Sequence, residues 1–340
     1  MVLSRYAALT VALAGYGCTA METGPLQVEL AFTISSETGL GAARDLAVDN
    51  QGNIYIFDYD DYVIRKFDPA GELLHSFGGT GDEPGRFQHL MALEVHGDSL
   101  VALDPGSITV FNLSGTVRSR RALADTVTCD HPRLHSDGRW AAACIIEATA
   151  KYKLTHRSAD GRELREPASF DLAEHFPGVE PGGLFFIGRT QAPGYLYDFT
   201  RGGLLVWAAS DSLRVVIDRA GMDETLYESA VEAVPFAADS IAALRRRQAE
   251  LVPPLFMNVP EQYQLIQHLV VSPTGDIWLN VWSQERAGLL RLSATGREVG
   301  FYTVDRQFEE SSARLAIANG RLYIMTPGRD ETAVYTVDLP

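Results

Sequence analysis

Residues 45–78, DLAVDNQGNIYIFDYDDYVIRKFDPAGELLHSFG, decide the fold. Four short runs within them are rich in β-branched and aromatic residues and alternate between apolar and polar positions: LAV, NIYIFD, VIRKFD and ELLHSF. Alternation with a period of two is typical of half-buried strands. Residues that favour turns separate the runs, at Asn50-Gln51-Gly52, Asp60-Asp61 and Pro69-Ala70-Gly71. The stretch therefore predicts a unit of four antiparallel strands.

The same order of strands and turns returns along the whole chain. Further units begin at residues 91, 132, 195, 269 and 314, and the glycines of their first turns are Gly52, Gly97, Gly138, Gly203, Gly275 and Gly320. Three of the five spacings between these glycines are 41 to 45 residues, and the two longer ones leave room for insertions around the fourth unit. A repeat of about 40–50 residues is typical of a four-stranded propeller blade. The sequence therefore predicts an all-β, six-bladed β-propeller with four-stranded antiparallel blades.

The sixth unit has only three predicted strands. QVELAFTI, residues 27–34, alternates like a strand and lies before the first unit. Pairing of this strand with the last unit would close the ring and remove two unpaired edges. We therefore expect one propeller domain over residues 27–340, closed by its N-terminal strand.

The glycine-rich stretch FGGTGDEPGRF, residues 77–87, has the composition of a phosphate-binding loop but not its context. Such a loop needs a helix and a Lys after its last Gly, whereas Arg86-Phe87 and a strand pattern follow here. Asp82 and Glu83 would also repel a phosphate. We interpret the stretch as a connector between blades, in which glycines allow a tight crossover.

Residues 52–87 resemble an NHL repeat. The match consists of G-N-I-Y-x-x-D, R-x-F-D-x-x-G and F-G-x-x-G-x-x-P-G-x-F, and it is strongest over residues 40–120, with a weaker echo at 265–340. Together with the leader discussed below, the chain resembles exported bacterial six-bladed propellers of the NHL type. The resemblance implies the fold. It does not imply one activity, because such propellers include protein- and RNA-binding modules, sensor domains and a few lyases.

The net charge of −15 limits the partners of the protein. Nucleic-acid binding needs a basic surface, and attraction to an anionic membrane needs the same. We therefore expect no nucleic-acid partner, and contact with a membrane only through a lipid anchor.

The first 18 residues have the pattern of an export signal. Arg5 precedes a short apolar run and small residues that end at Cys18. The run is too short to span a bilayer, and the cysteine after Ala14-Gly15-Tyr16-Gly17 resembles the cleavage site of a bacterial lipoprotein. Gly15 departs from the aliphatic residue that is usual three positions before that cysteine. We expect a signal peptide over residues 1–18, lipidation of Cys18, and a location in the cell envelope, either anchored to a membrane or periplasmic to extracellular.

The other two cysteines, Cys129 and Cys144, flank a predicted hairpin around Gly138. In an oxidising compartment such a pair can form a disulfide, although two small buried apolar residues would fit as well.

Ionisable residues cluster where the first strands of the blades begin. Alignment of the units by their turns places Asp45, His131, His268 and Arg314 at similar positions, with Arg44, His89, Asp130 and Arg133 nearby in sequence. First strands surround the central channel of a propeller, so Arg44, Asp45, His131, His268 and Arg314 are our candidate ligand-binding residues. A polar, water-filled channel is the simplest interpretation. Two histidines and an aspartate could also bind a divalent metal, as in metal-dependent lactonases and lyases of this architecture.

One helix is predicted, over about residues 237–252, within VPFAADSIAALRRRQAELVPP. Asp239 is its candidate cap, and Pro253-Pro254 would end it. It either lies on the outside of the propeller or covers one mouth of the channel.

No catalytic motif such as GxSxG, HExxH or GxxxxGK occurs. The sequence favours an exported, lipid-anchored propeller that binds a protein or a small molecule on one face, without a cofactor. The alternative is a metal-dependent lactonase or lyase with its site at the mouth of the channel.

Overall fold

The computed structural model describes residues 22–35, 39–104, 106–123, 129–146, 149–171, 194–219, 221–235, 238–249, 262–304, 313–328 and 331–340. The leader and Cys18 lie outside these residues. No helix within them is both long and apolar enough to cross a membrane.

Strands follow one another along almost all of the described chain. Two strands come before the first blade: β1, Glu22–Leu26, and β2, Glu29–Ser35. Blade 1 consists of β3, Ala43–Val48; β4, Ile54–Asp58; β5, Val63–Phe67; and β6, Leu73–Gly78. Blade 2 consists of β7, Ala92–His96; β8, Ser99–Asp104; β9, Ser107–Asn112; and β10, Val117–Ala122. Blade 3 consists of β11, Cys129–Leu134; β12, Trp140–Ile146; β13, Lys151–Arg157; and β14, Glu163–Asp171.

The second half of the chain repeats this arrangement. Blade 4 consists of β15, Tyr195–Phe199; β16, Leu205–Ala209; β17, Arg214–Arg219; and β18, Met222–Glu228. One helix, α1, Ala238–Ala249, follows it. Blade 5 consists of β19, Ile266–Val271; β20, Ile277–Trp282; β21, Ala287–Leu292; and β22, Glu298–Val304. Blade 6 contains β23, Arg314–Ala318; β24, Arg321–Pro327; and β25, Glu331–Asp338.

The protein is a six-bladed β-propeller, as the sequence predicts. In blades 1 to 4 the four strands pair in antiparallel fashion and in chain order, as do β19 to β22 of blade 5 and β23 to β25 of blade 6. The first strands of neighbouring blades contact one another in a closed cycle, from β3 through β7, β11, β15 and β19 to β23 and back to β3. These six first strands therefore surround the central channel.

The N-terminal strand closes the ring. β2 pairs with β25 in antiparallel fashion and becomes the fourth strand of blade 6. The side chains of Phe32 and Ile34 point into the core that blades 1 and 6 share, whereas Leu30 remains 56% exposed. The alternation that predicted this strand therefore separates its buried face from its solvent face.

A second, unpredicted strand pairs with blade 5. β1 runs parallel to β22, so the sheet of blade 5 has five strands. Glu22 fixes this strand because its carboxylate accepts a hydrogen bond of 2.6 Å from the hydroxyl of Tyr302 and lies 3.4 Å from Arg291.

The apolar core lies between the blades. The described residues form six buried clusters, and each cluster combines side chains of two neighbouring blades. Fully buried members include Trp140, Phe57, Phe111 and Leu279. Each blade therefore buries both of its faces against its neighbours, which fixes the positions of the first strands around the channel.

The connector and the helix fit the predictions made for them. Residues 79–91 join β6 to β7 without a helix, and Phe87 from this connector is buried against Phe57 and Phe111. Helix α1 begins at Ala238, so Asp239 lies in its first turn rather than before it. A carboxylate in the first turn still interacts favourably with the helix dipole. The predicted end of the helix lies outside the described residues.

The structure joins Cys129 to Cys144 by a disulfide. The two residues face each other across the first and second strands of blade 3. Just beyond this bond the pairing of β11 with β12 is irregular between Asp130 and Arg133. Pro132 lies within the irregularity, where its missing N–H breaks no regular ladder bond. Such irregularities re-aim side chains, and here the next residue is Arg133.

Candidate ligand-binding site in the central channel

Each first strand contributes one ionisable side chain to a set that interacts electrostatically around the channel. We call this set the channel layer, and its members are Asp45, Glu94, Arg133, Asp198, His268 and Arg314. Electrostatic interactions connect them, because Arg133 acts on Asp45, Asp198 and His268. Three of the predicted site residues, Asp45, His268 and Arg314, therefore belong to this layer, and their role in ligand binding stays a prediction.

Three carboxylates of the channel layer also join one blade to another. Asp45 accepts a hydrogen bond of 2.7 Å from the backbone N–H of Leu93 in blade 2. Glu94 accepts one of 2.9 Å from Leu134 in blade 3 through Oε1. Asp198 accepts one of 2.8 Å from Val271 in blade 5 through Oδ2. These carboxylates are thus held in place by backbone donors and are not free to rotate.

A cavity of about 890 Å³ opens from the channel layer toward one face of the propeller. Its lining includes the second halves of the first strands and the turns that follow them, and it extends along the outer strands of blade 2 at Val101, Val110 and Arg121. Glu94, Arg133 and Asp198 lie at its inner end. The walls combine polar side chains with aliphatic ones, and the aliphatic ones include Val95, Val270 and Ile317. Ligand cavities in proteins commonly measure about 300–1,000 Å³. The size therefore fits a small organic molecule.

Asp45, His268 and Arg314 lie behind this inner end, because the lining of their strands begins only one or two residues further on, at Leu46, Val270 and Leu315. They belong to the channel layer without lining the cavity. Arg314 donates through Nε to the backbone carbonyl of Arg44, at 2.9 Å, and so connects blade 6 to blade 1.

Burial sets the protonation of the channel layer. Burial raises the pKa of Asp198 to about 6, and the nearby charge of Glu94 adds to this against the opposing effect of Arg133. Burial also raises the pKa of Asp45. Burial, together with the positive charges of Arg314 and Arg133, lowers the pKa of His268 to about 3. His268 is therefore neutral at pH 7, whereas Asp198 is mainly ionised.

Charge stabilises Arg133, and it donates no hydrogen bond to a residue that the structure describes. Burial works against its positive charge, but the surrounding carboxylates outweigh this effect and raise the pKa of Arg133. The nearest of them is Glu94, whose Oε1 lies 4.0 Å from Nη1 of Arg133, beyond hydrogen-bond distance. Oε2 of Glu94 lies 3.4 Å from Nε2 of His96, and this contact raises the pKa of His96 although burial opposes it.

Of the remaining predicted residues, Arg44 is not part of this layer. Arg44 is exposed on the face where the first strands begin, and its guanidinium lies 4.4 Å from the ring centre of Tyr59. The hydroxyl of Tyr59 in turn lies 3.4 Å from Nδ1 of His89. His131 is on β11, but its side chain lies outside the described residues.

Three members were not among the candidate residues: Glu94, Asp198 and Arg133, of which the sequence placed only Arg133 near the candidates. Alignment by turns failed here because the turns differ in length: Asp45 precedes its turn glycine by seven residues, and Glu94 precedes Gly97 by only three. A carboxylate in each of the strand patterns ALEVH and YLYDF was the available signal.

Metal ligation finds no support in the part of the chain that the structure describes. No three His, Cys, Asp or Glu side chains lie together there in a way that could hold a metal ion. The divalent metal that the sequence leaves open stays a prediction.

Comparisons with known proteins do not assign the chain to a family. No protein-family model matches the chain, and no curated protein matches its sequence. Among solved structures the chain is similar to a gluconolactonase from Xanthomonas campestris, with 12% identity over 88% of this chain and 86% of that one and a TM-score of 0.46.

It is also similar to virginiamycin B lyase from Staphylococcus aureus, with 11% identity over 91% and 99% of the two chains and a TM-score of 0.47. A calcium-binding regucalcin from Agrobacterium tumefaciens is 12% identical over 94% and 97%, with a TM-score of 0.49. Likeness at this level carries no statement about activity. The class that the strands themselves define is a closed six-bladed propeller with a cavity at one end of its channel.

Proposed function

We propose that the protein is an exported, lipid-anchored β-propeller that binds a small molecule in the channel cavity. The observation that supports this proposal most is the combination of a cavity of about 890 Å³ with a charged inner end. Aliphatic walls and a few fixed polar groups are the composition of small-molecule sites. The cavity also lies within a closed ring, so it is formed before any ligand arrives.

A plugged cavity tests this function. Ser136 lies in an exposed turn at the rim of the cavity, so Ser136→Trp would place a large ring in its entrance. The matched control is Ser119→Trp, on the outer strand of blade 2 and equally exposed. The assay is the melting temperature of the protein with a panel of amino acids, sugars, organic acids and amines at millimolar concentration. We expect at least one compound to stabilise the wild type and the control but not the plugged variant.

Two results would count against the function. If no compound of the panel changes the melting temperature of the wild type, the cavity is only a water-filled channel. If a compound stabilises the plugged variant as well as the wild type, its site lies elsewhere.

Export and anchoring rest on the leader alone. Residues 1–18 and the lipoprotein-like cysteine support them. Cell fractionation of the wild type and of Cys18→Ser in a bacterial host tests the anchor. We expect the wild type in the membrane fraction and the variant in the soluble fraction, and the same distribution of both would contradict the anchor.

A further inference from the structure

Arg133 differs from every other shielded arginine in the described part of the chain in how its donors are used. Arg133 has 26% of its side chain exposed and donates no hydrogen bond to any described residue. Comparably or better shielded arginines each donate to carboxylate, hydroxyl or carbonyl oxygens: Arg65, Arg157, Arg165, Arg286 and Arg291. A guanidinium has five N–H donors in a planar fork. Those of Arg133 therefore remain available inside the cavity.

The charge of Arg133, in contrast, already has partners. Three carboxylates of the channel layer act on it: Asp198, Glu94 and Asp45. A simple anion bound to Arg133 would lie beside these carboxylates, in surroundings where charges interact strongly. A ligand that carries both acceptor oxygens for Arg133 and a positive group for the carboxylates therefore fits this end of the cavity better.

The carboxylates beside Arg133 have capacity for a donor. Oε1 of Glu94 accepts one backbone N–H and Oε2 contacts His96 at 3.4 Å. Each oxygen of Asp198 accepts one backbone N–H, from Val271 and Phe199. A carboxylate oxygen has two acceptor positions. Glu94 and Arg133 are 4.0 Å apart, so a carboxylate and an ammonium on neighbouring atoms of one ligand can reach both.

The walls define the rest of the ligand. Val95, Val270 and Ile317 line the cavity beyond the charged residues, and they offer no hydrogen-bonding side chain. An apolar group on the ligand would lose water contact there, which favours binding.

We propose that the ligand is a free α-amino acid with an apolar side chain, its carboxylate on Arg133, its ammonium between Glu94 and Asp198, and its side chain against the aliphatic walls. This inference rests on the proposed function and names the ligand class for the same cavity. A guanidinium that binds a carboxylate donates two parallel hydrogen bonds, which fix the orientation of the ligand and add affinity.

Calorimetric titration with three probes tests the inference. L-leucine has both charged groups, L-leucinamide lacks the carboxylate, and 4-methylpentanoate lacks the ammonium. We expect leucine to bind and each analogue to bind about tenfold or more weakly, since each loses charge-assisted hydrogen bonds. D-glucose serves as a neutral polyol and should not bind.

Variants assign the binding to Arg133. Arg133→Gln should weaken leucine binding by about tenfold or more, and Arg133→Lys, which keeps the charge but not the fork, should lie between. The control is Arg118→Gln on the outer strand of blade 2, where Arg118 pairs with exposed Asp98. It should leave the affinity unchanged. Melting curves of all variants show whether each is folded. If Arg133→Gln does not fold, the comparison of Arg133→Lys with the wild type still tests the inference.

The inference fails if 4-methylpentanoate or glucose binds as tightly as leucine, or if Arg133→Gln and Arg133→Lys, as folded proteins, both bind leucine like the wild type. Binding of another class of compound that Ser136→Trp abolishes would overturn the inference and leave the proposed function intact. Absence of binding by every probe and by the whole panel would overturn both.

Discussion

Loss of the disulfide between Cys129 and Cys144 should destabilise the propeller by about 3 kcal/mol. The bond closes a loop with a sequence separation of 15 residues, and the entropy that such a loop removes from the unfolded chain gives about that free energy. With an unfolding entropy of about 0.6 kcal/mol/K for roughly 300 residues, the melting temperature should fall by about 5 °C.

The double variant Cys129→Ala/Cys144→Ala is the perturbation, and urea unfolding is the assay. Trp140 is fully buried in the same cluster as both cysteines, so its fluorescence reports on this part of the protein. The midpoint should fall, and the dependence on urea should stay the same or rise slightly, because the unfolded chain without the cross-link is less compact. Because the bond also borders the irregularity before Arg133, we expect weaker ligand binding as well.

Reductant provides the control. Both sulfur atoms are shielded, so dithiothreitol must be added to the unfolded protein before refolding. It should lower the midpoint of the wild type and leave the double variant unchanged. A loss of stability below about 1 kcal/mol, or an equal effect of reductant on both proteins, would refute the reasoning, since it requires a closed loop of this length.

Three further changes probe the ring and the channel layer. Phe32→Ala should lower the free energy of unfolding in urea by about 3–5 kcal/mol, because the phenyl ring is buried between blades 1 and 6. Leu30→Ala, on the exposed face of the same strand, should lower it by less than about 0.5 kcal/mol. Equal effects of the two substitutions would contradict closure of the propeller by this strand. Asp45→Ala should cost about 1–3 kcal/mol because it leaves a buried backbone N–H of blade 2 without its acceptor, and unchanged stability would contradict this bond. Burial raises the pKa of Asp198 to about 6, so this carboxylate takes up a proton as the pH falls below 6 and loses its attraction for an ammonium. Leucine affinity measured by calorimetry should therefore be lower at pH 5 than at pH 7.5. The variant Asp198→Asn should remove most of this difference. A pH dependence that persists in the variant would assign it to another group.

The sequence was sufficient to predict the blades and their closure. Strand alternation depends on which residues face the core, and this holds for β2 as it does for the blades. The parallel strand β1 was not predictable in this way, because ETGPL contains Gly and Pro and shows no alternation. Its position depends on contacts with residues far along the chain, Arg291 and Tyr302, which no local pattern reveals.

The site was predictable in part, for a related reason. Asp45 and His268 both precede their turn glycines by seven residues, so alignment by turns found them. Alignment by turns did not find Glu94 because the hairpin after it is short, and it did not find Asp198 because the strand of that residue begins after an insertion. Arg44 lies on the exposed face where the first strands begin and does not line the cavity, so its role in ligand binding stays a prediction.

A crystal structure of the protein grown with millimolar L-leucine tests the central claim most directly. We expect density for the amino acid in the cavity, with its carboxylate within hydrogen-bond distance of the Arg133 guanidinium and its ammonium beside Glu94. Density at the opposite mouth, near Arg44 and His89, or an empty cavity at a leucine concentration that saturates binding in solution, would contradict it.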